Sequence, residues 1–286
     1  MEKLSNTFAS VREKIGAWSS SVLIVLILSF LFFVAGGGIS HNAKWRIESI
    51  DVVGAKSVSE DLVRTLVRQK IEGNYFFVYA RDNSRLFPKV EIEHMLLETF
   101  PRLQSARVAR VDNHAIATGV TERTPYALWC GDVFNEEMYE LNDCWFVDEH
   151  GFVFDRAPIF SKGVYMEVYG MLVEKNADDA LRASLPYSRY TTANTFAKDL
   201  GVRVGKILRI EIKSEGELEA TILSSTKHSF LSGVTVRFKD ESNPEVLIKN
   251  LLAAILVQFP NNLALKKKLL YIDMRFGNKV IFGFEN

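Results

Sequence analysis

No Asp, Glu, Lys or Arg interrupts the chain between Lys14 and Lys44, and inside that window Val22 to Val34 reads VLIVLILSFLFFV, apolar except at Ser29. Extended to Trp18 and Ile39, the segment predicts a helix of about 33 Å at roughly 1.5 Å per residue, enough to cross a hydrocarbon core of about 30 Å. It is apolar on every face, unlike the amphipathic helix of a soluble core. A cleavable signal peptide is the competing reading, with Ala35-Gly36-Gly37 as its small-residue site. Lys3, Arg12 and Lys14 precede the segment and Lys44 and Arg46 follow it, so the positive-inside count does little to choose a side.

From Arg46 the periodicity predicts the order β-α-α-β-β. Ile50 and Val52 alternate with Asp51 and run into Gly54, a strand entering a turn. Ser57 and Glu60 stand in capping-box spacing before Leu62, Val63, Leu66, Val67 and Ile71, which recur at the helical period. Pro88 suits the first turn of a second helix with Ile92, Met95, Leu96 and Phe100, ending before Pro101. Leu103 to Val111 and Ala115 to Thr121 predict a hairpin around Asp112-Asn113-His114, with Ile116, Thr118 and Val120 on one face.

From Pro125 onward strands dominate. Tyr126 to Cys130, Cys144 to Val147 and Gly151 to Phe154 predict an antiparallel set turning at Asp148-Glu149-His150-Gly151. Thr191 or Thr192 is a candidate cap for a short helix ending near Gly201. Ile207 to Ile212, Glu217 to Leu223 and Val234 to Phe238 read as a meander, followed by a helix over Val246 to Phe259 that packs Leu247, Leu251, Ala254, Ile255 and Phe259 on the sheet. Tyr271 to Phe284 reads as one closing strand with Gly277-Asn278 as a turn or bulge. In that strand Tyr271, Asp273 and Arg275 face one way and Ile272, Met274 and Phe276 the other. As the last strand it is the candidate free edge, whose unpaired backbone groups template another chain.

Lysine plus arginine and aspartate plus glutamate both number 35, so no net field favours nucleic acid. Cys130 and Cys144 are the two cysteines, both after the apolar segment. In an exported segment an even count reads as one disulfide, with two unrelated buried thiols as the alternative. The five histidines fall at no metal-ligand spacing, and no zinc or nucleophile motif is present. Gly201 to Lys206 imitates a phosphate loop but is one residue short between its glycines, and Ile207 replaces the Ser or Thr it needs. Glu136-Glu137 and Asp178-Asp179 read as solvated surface, Glu122-Arg123 as a local ion pair, and Lys266-Lys267-Lys268 as a solvated face or a site for an acidic partner. These observations predict a binding protein rather than an enzyme, without cofactor or metal.

The motif order resembles the FtsQ/DivIB family of bacterial cell-division proteins over nearly the whole chain. The similarity rests on Ile47, Ile50, Val52 and Gly54, then Glu122, Arg123, Pro125, Ala127 and Trp129, then Val147, Asp148, Gly151, Val153 and Phe154, and finally Tyr271 to Gly277. Gly131 to Asp143 and Phe160 to Tyr190 have no counterpart in the family pattern. The resemblance implies an α+β protein with a cytoplasmic tail at 1–17, a transmembrane helix at 18–39, a POTRA domain at 46–122, and an antiparallel β domain with packed helices at 123–286. It implies a division scaffold in the plasma (inner) membrane with its bulk extracytoplasmic, recruited to the septum and bound to FtsB-like and FtsL-like single-span proteins, with other divisome components meeting the POTRA part. Arg275 occupies the family position that meets a partner carboxylate and Phe276 the adjoining aromatic one, with Gly277, Lys279 and Val280 completing the expected contact. The rival classes are a membrane-anchored envelope enzyme and a POTRA-type chaperone of exported proteins.

Overall fold

The computed structural model describes residues 22–135, 143–173, 180–260 and 267–285. The chain divides into two compact units, Met1–Glu122 and Arg123–Asn286. The first expected segment, 1–17, and Trp18 lie outside the described residues, as do 136–142 of the cysteine-bounded loop, Asp178-Asp179 and Lys266.

Unit 1 begins with α1, Val22–Ser40, a helix long and apolar enough to cross a membrane. A single 3-10 turn at Ala43–Trp45 leads into β1, Ser49–Val53. Next come α2 (Glu60–Ile71), a small hairpin of β2 (Asn74–Tyr75) and β3 (Tyr79–Ala80), α3 (Lys89–Thr99), β4 (Leu103–Arg110) and β5 (Ala115–Glu122). The sheet order is β1-β5-β4, with β1 parallel and β4 antiparallel to the central β5. Alternation on β5 turns Ile116 and Val120 inward, where Val63, Val67 and Ile71 of α2 and Ile92 and Leu96 of α3 cover them. Gly54 leaves β1 at φ +94°, and a Cβ there would stand 2.2 Å from the Val120 carbonyl oxygen, so a side chain is excluded on both counts. The cap of α2 is Ser59, whose Oγ accepts from the Leu62 N–H, and not the expected Ser57. Ser57 instead donates its backbone N–H to the Glu122 carboxylate.

Unit 2 is built on one sheet. Its strands are β6 (Ala127–Trp129), β7 (Trp145–Val147), β8 (Val153–Arg156), β9 (Met166–Gly170), β10 (Lys206–Ile212), β11 (Glu217–Ser224), β12 (Thr235–Lys239), β13 (Leu269–Asp273) and β14 (Ile281–Phe284). Among the described residues their order is β14-β13-β12-β11-β10-β9-β6-β7-β8. The expected antiparallel sheet is in fact mixed: β6 with β9, β9 with β10, and β12 with β13 are parallel. The helices α4 (Tyr187–Arg203) and α5 (Pro244–Gln258) make the crossovers that parallel neighbours require and cover one face. There Phe196 of α4 meets Phe238 of β12 with ring centroids 4.3 Å apart. The opposite face of β6, β7, β8 and β9 carries a second apolar cluster of Leu128, Cys130, Phe146, Phe154 and Tyr169. With both faces covered, these strands lose the apolar-polar alternation that marks a half-exposed strand.

Of the two helices, α4 departs from expectation at its start. α4 begins at Tyr187, ahead of Thr191 and Thr192, so neither threonine caps it. α5 begins one residue after Asn243, whose side chain accepts from the Glu245 and Val246 N–H groups, and it buries Leu247, Ile248, Leu251 and Ile255. The phosphate-loop imitation at Gly201 to Lys206 spans the end of α4 and the first residue of β10.

Candidate functional site

The segment expected as one closing strand is a hairpin. β13 and β14 pair antiparallel, with Asp273 opposite Ile281 and Tyr271 opposite Gly283, and the connection turns through Gly277 at φ +64°. Lys279 donates its N–H to the Phe276 carbonyl across that turn. The stretch from Met274 to Val280 links the two antiparallel runs. β13 is therefore internal, held by β12 on its other side, and the edge is β14, Ile281–Phe284. Among the described residues β14 has β13 as its one strand neighbour.

The expected two-faced arrangement of Tyr271 to Phe276 is also revised. Ile272 and Met274 are buried in the core shared with α5, whereas Phe276 stands in the turn at 56% exposure. Gly277 and Lys279 are exposed in the same turn, and Val280 is half-buried against the core. Phe282 points inward from β14 and meets Phe259 edge-on, centroids 5.3 Å apart. Ile281 remains 44% exposed.

Arg275 is fully engaged within the sheet. Its Nε donates to both carboxylate oxygens of Asp273 at 3.0 and 3.2 Å, and one terminal nitrogen donates to Asp273 Oδ2 at 2.6 Å. The other donates to Glu217 Oε1 on β11 at 2.6 Å. This fork geometry suits arginine, whose planar guanidinium serves two carboxylates at once. Hydrogen bonds from Arg275 hold the Asp273 carboxyl below the usual carboxylate range, against the upward pull of its burial. The same carboxylates drive the guanidinium further toward its charged form.

This pair belongs to a ladder of charges on the sheet face away from α4 and α5. Lys213 Nζ lies 2.8 Å from Glu219 Oε2, and Arg237 Nε lies 3.1 Å from Glu219 Oε1. The Arg237 guanidinium also covers the Tyr271 ring at 4.4 Å, and that ring covers Gly283, where an added Cβ would stand 2.3 Å from it. The ladder ties β11, β12 and β13 together, and the Tyr271 ring carries the contact on to β14 at Gly283. Sequence reading found Arg275 and Phe276 but missed Glu217 and Glu219, which reach the site by cross-strand pairing. A polar-out alternation over β11 was their available signal.

Cys130 and Cys144 form a disulfide, S–S 2.04 Å, joining the ends of the paired strands β6 and β7. Arg123 is held within unit 2. It forms an ion pair with Asp148 and lies over the Phe152 ring at 4.0 Å, while Glu122 binds backbone N–H groups of unit 1. Among the described residues no three His, Cys, Asp or Glu side chains gather as a metal site. Fold and site together define a mixed α+β chain with one apolar helix and a β-rich unit ending in an exposed edge. No family model matches the chain, and no curated protein matches it.

Proposed function

We propose that the chain is a non-catalytic, membrane-anchored scaffold of the bacterial division machinery, of the FtsQ/DivIB type, which captures a partner strand on the β14 edge. The observation that carries this reading is that, among the described residues, β14 has one strand neighbour, since such a strand offers its outer N–H and C=O groups to another chain. Glu285 donates its N–H to Lys268 on the β13 side. Backbone alternation then turns the N–H groups of Phe282 and Phe284 outward. Phe276 supplies an apolar anchor and Lys279 a charge at the same end, the combination that gives a strand-addition site its specificity.

In unit 1 the strand order β1-β5-β4, with α2 and α3 between β1 and β4 along the chain, supports the POTRA reading, and α1 supports the anchor. The partner of this reading is an FtsB-like or FtsL-like single-span protein at the septum of the plasma (inner) membrane.

The test avoids Arg275, because a Glu there would face Asp273 and Glu217 and unsettle the sheet. Phe276→Ala and Lys279→Glu are to be made singly in the full chain, with circular dichroism and melting compared first and capture of FtsB-like and FtsL-like partners measured by pull-down. Native melting with capture weakened tenfold or more, about 1.4 kcal/mol, is the expected result. Unchanged capture in both variants removes this edge as the site.

A further inference from the structure

The hairpin β2–β3 of unit 1 ends in Phe76 and Phe77, exposed to 79% and 97%. Both have positive φ, 48° and 64°, and Val78 donates its N–H to Tyr75 O across them at 3.0 Å. A turn with two positive φ values is ordinarily made by Asn-Gly or Gly-Gly, because a bulky side chain is strained there. Two adjacent phenylalanines held outward on such a backbone gain nothing from water, which favours their burial. Strain of this kind persists where a function uses it.

The same hairpin is fastened to the last two turns of α1. The Tyr79 hydroxyl donates to the Phe33 carbonyl at 3.0 Å, and the two rings meet edge-on at 5.0 Å. Gly36 and Gly37 permit the approach: a Cβ would stand 2.7 Å from the Tyr79 hydroxyl oxygen in the first case and 1.9 Å from a Val78 methyl in the second. Ser40 Oγ accepts from the Ala80 N–H at 2.9 Å, and Asn83 Nδ2 donates to Ser40 O at 2.8 Å. Phe33, Gly36, Gly37 and Ser40 form one helical face, and Phe33 lies roughly 10 Å below the end of α1 at about 1.5 Å per residue. The interfacial zone outside the hydrocarbon core is about 5–7 Å deep on each side, so the hairpin occupies that level wherever α1 crosses. Aromatic and basic side chains stack nearby, Arg81 over Tyr75 at 5.0 Å and Arg85 over Trp45 at 4.9 Å, the composition of an interfacial belt.

We infer that the Phe76-Phe77 tip is a second membrane contact, inserted among the headgroups and upper acyl chains of the bilayer that α1 crosses, which holds unit 1 against the lipid surface. This rests on reading α1 as a membrane span.

The test uses the full chain reconstituted in phosphatidylcholine nanodiscs, with a nitroxide on Phe77→Cys, Leu28→Cys or Val257→Cys in turn; the disulfide keeps Cys130 and Cys144 from the label. Collision with oxygen, which concentrates in lipid, is compared with collision with a water-soluble nickel chelate. The label at 77 should lose nickel accessibility and gain oxygen accessibility relative to the exposed position 257, and lie shallower than the label at 28. Nickel accessibility at 77 equal to that at 257, with 28 in hydrocarbon, overturns the inference and leaves the anchor standing. Shielding of 77 from both agents assigns the tip to a protein contact and also overturns it. A label at 28 open to nickel refutes the span, and the tip contact with it.

Discussion

Glu122 shows how one side chain closes unit 1. Its Oε1 accepts from the backbone N–H groups of Lys56, Ser57 and Val58 at 2.7, 2.8 and 3.0 Å, fixing the turn that leads into α2 against the end of β5. Burial pulls its pKa up, but the bonds from Val58, Lys56 and Ser57 outweigh that and leave it lowered. A folded-state pKa below the unfolded value contributes stability that is complete above the unfolded value, about 4.3, and is lost as pH falls through the folded one. Glu122→Gln should therefore destabilise the protein by about 1.5–3 kcal/mol at neutral pH, the range for hydrogen bonds to a charged group. Urea denaturation at pH 7 and at pH 3 checks this, and the gap between the proteins should narrow on acidification. A gap of constant size would mean that the carboxylate charge is not the cause. The sequence marked Glu122 only beside the adjacent Arg123, because local spacing cannot reveal backbone donors 64 to 66 residues away.

At the scale of elements, the disulfide staples β6 to β7 around a segment with a sequence separation of 14. By the loop-entropy model such a closure contributes about 3 kcal/mol, so reduction should lower the melting temperature of unit 2 by several degrees while the sheet core persists. Calorimetry with and without reductant measures it, and identical melting would show that the packed aromatics alone hold the pair of strands. β9 lies in the tract from Phe160 to Tyr190 for which sequence reading offered no element. Its burial on both faces, with Val168 among the α4-side core and Tyr169 in the opposite cluster, erases the alternation that revealed β10, β11 and β12. The closing hairpin was read as one strand for a related reason. Both of its arms are apolar, and whether Gly277-Asn278 makes a bulge or a reversal depends on whether the second arm folds back to pair with the first.

For the whole molecule, the proposed function divides labour between the two units, with unit 1 serving recruitment and unit 2 partner capture. A chimera carrying residues 123–286 on a foreign single-span anchor should fail to concentrate at the septum yet still retain the partner of β14 in a pull-down. Fluorescence of the fusion in dividing cells reads the first outcome, and septal recruitment equal to that of the full chain would contradict the division. The sequence by itself determined the apolar helix, the helices α2, α3 and α5, the β4–β5 hairpin and the strands of the meander, since each follows from a periodicity carried by neighbouring residues. Tertiary structure alone decided that β9 joins the two halves of the sheet, that β13 is internal and β14 the edge, and that Arg275 turns back to Asp273 and Glu217. Those outcomes depend on which distant backbone groups complete each other's hydrogen bonds and which charges share a sheet face, and both are properties of strand order, on which local pattern is silent.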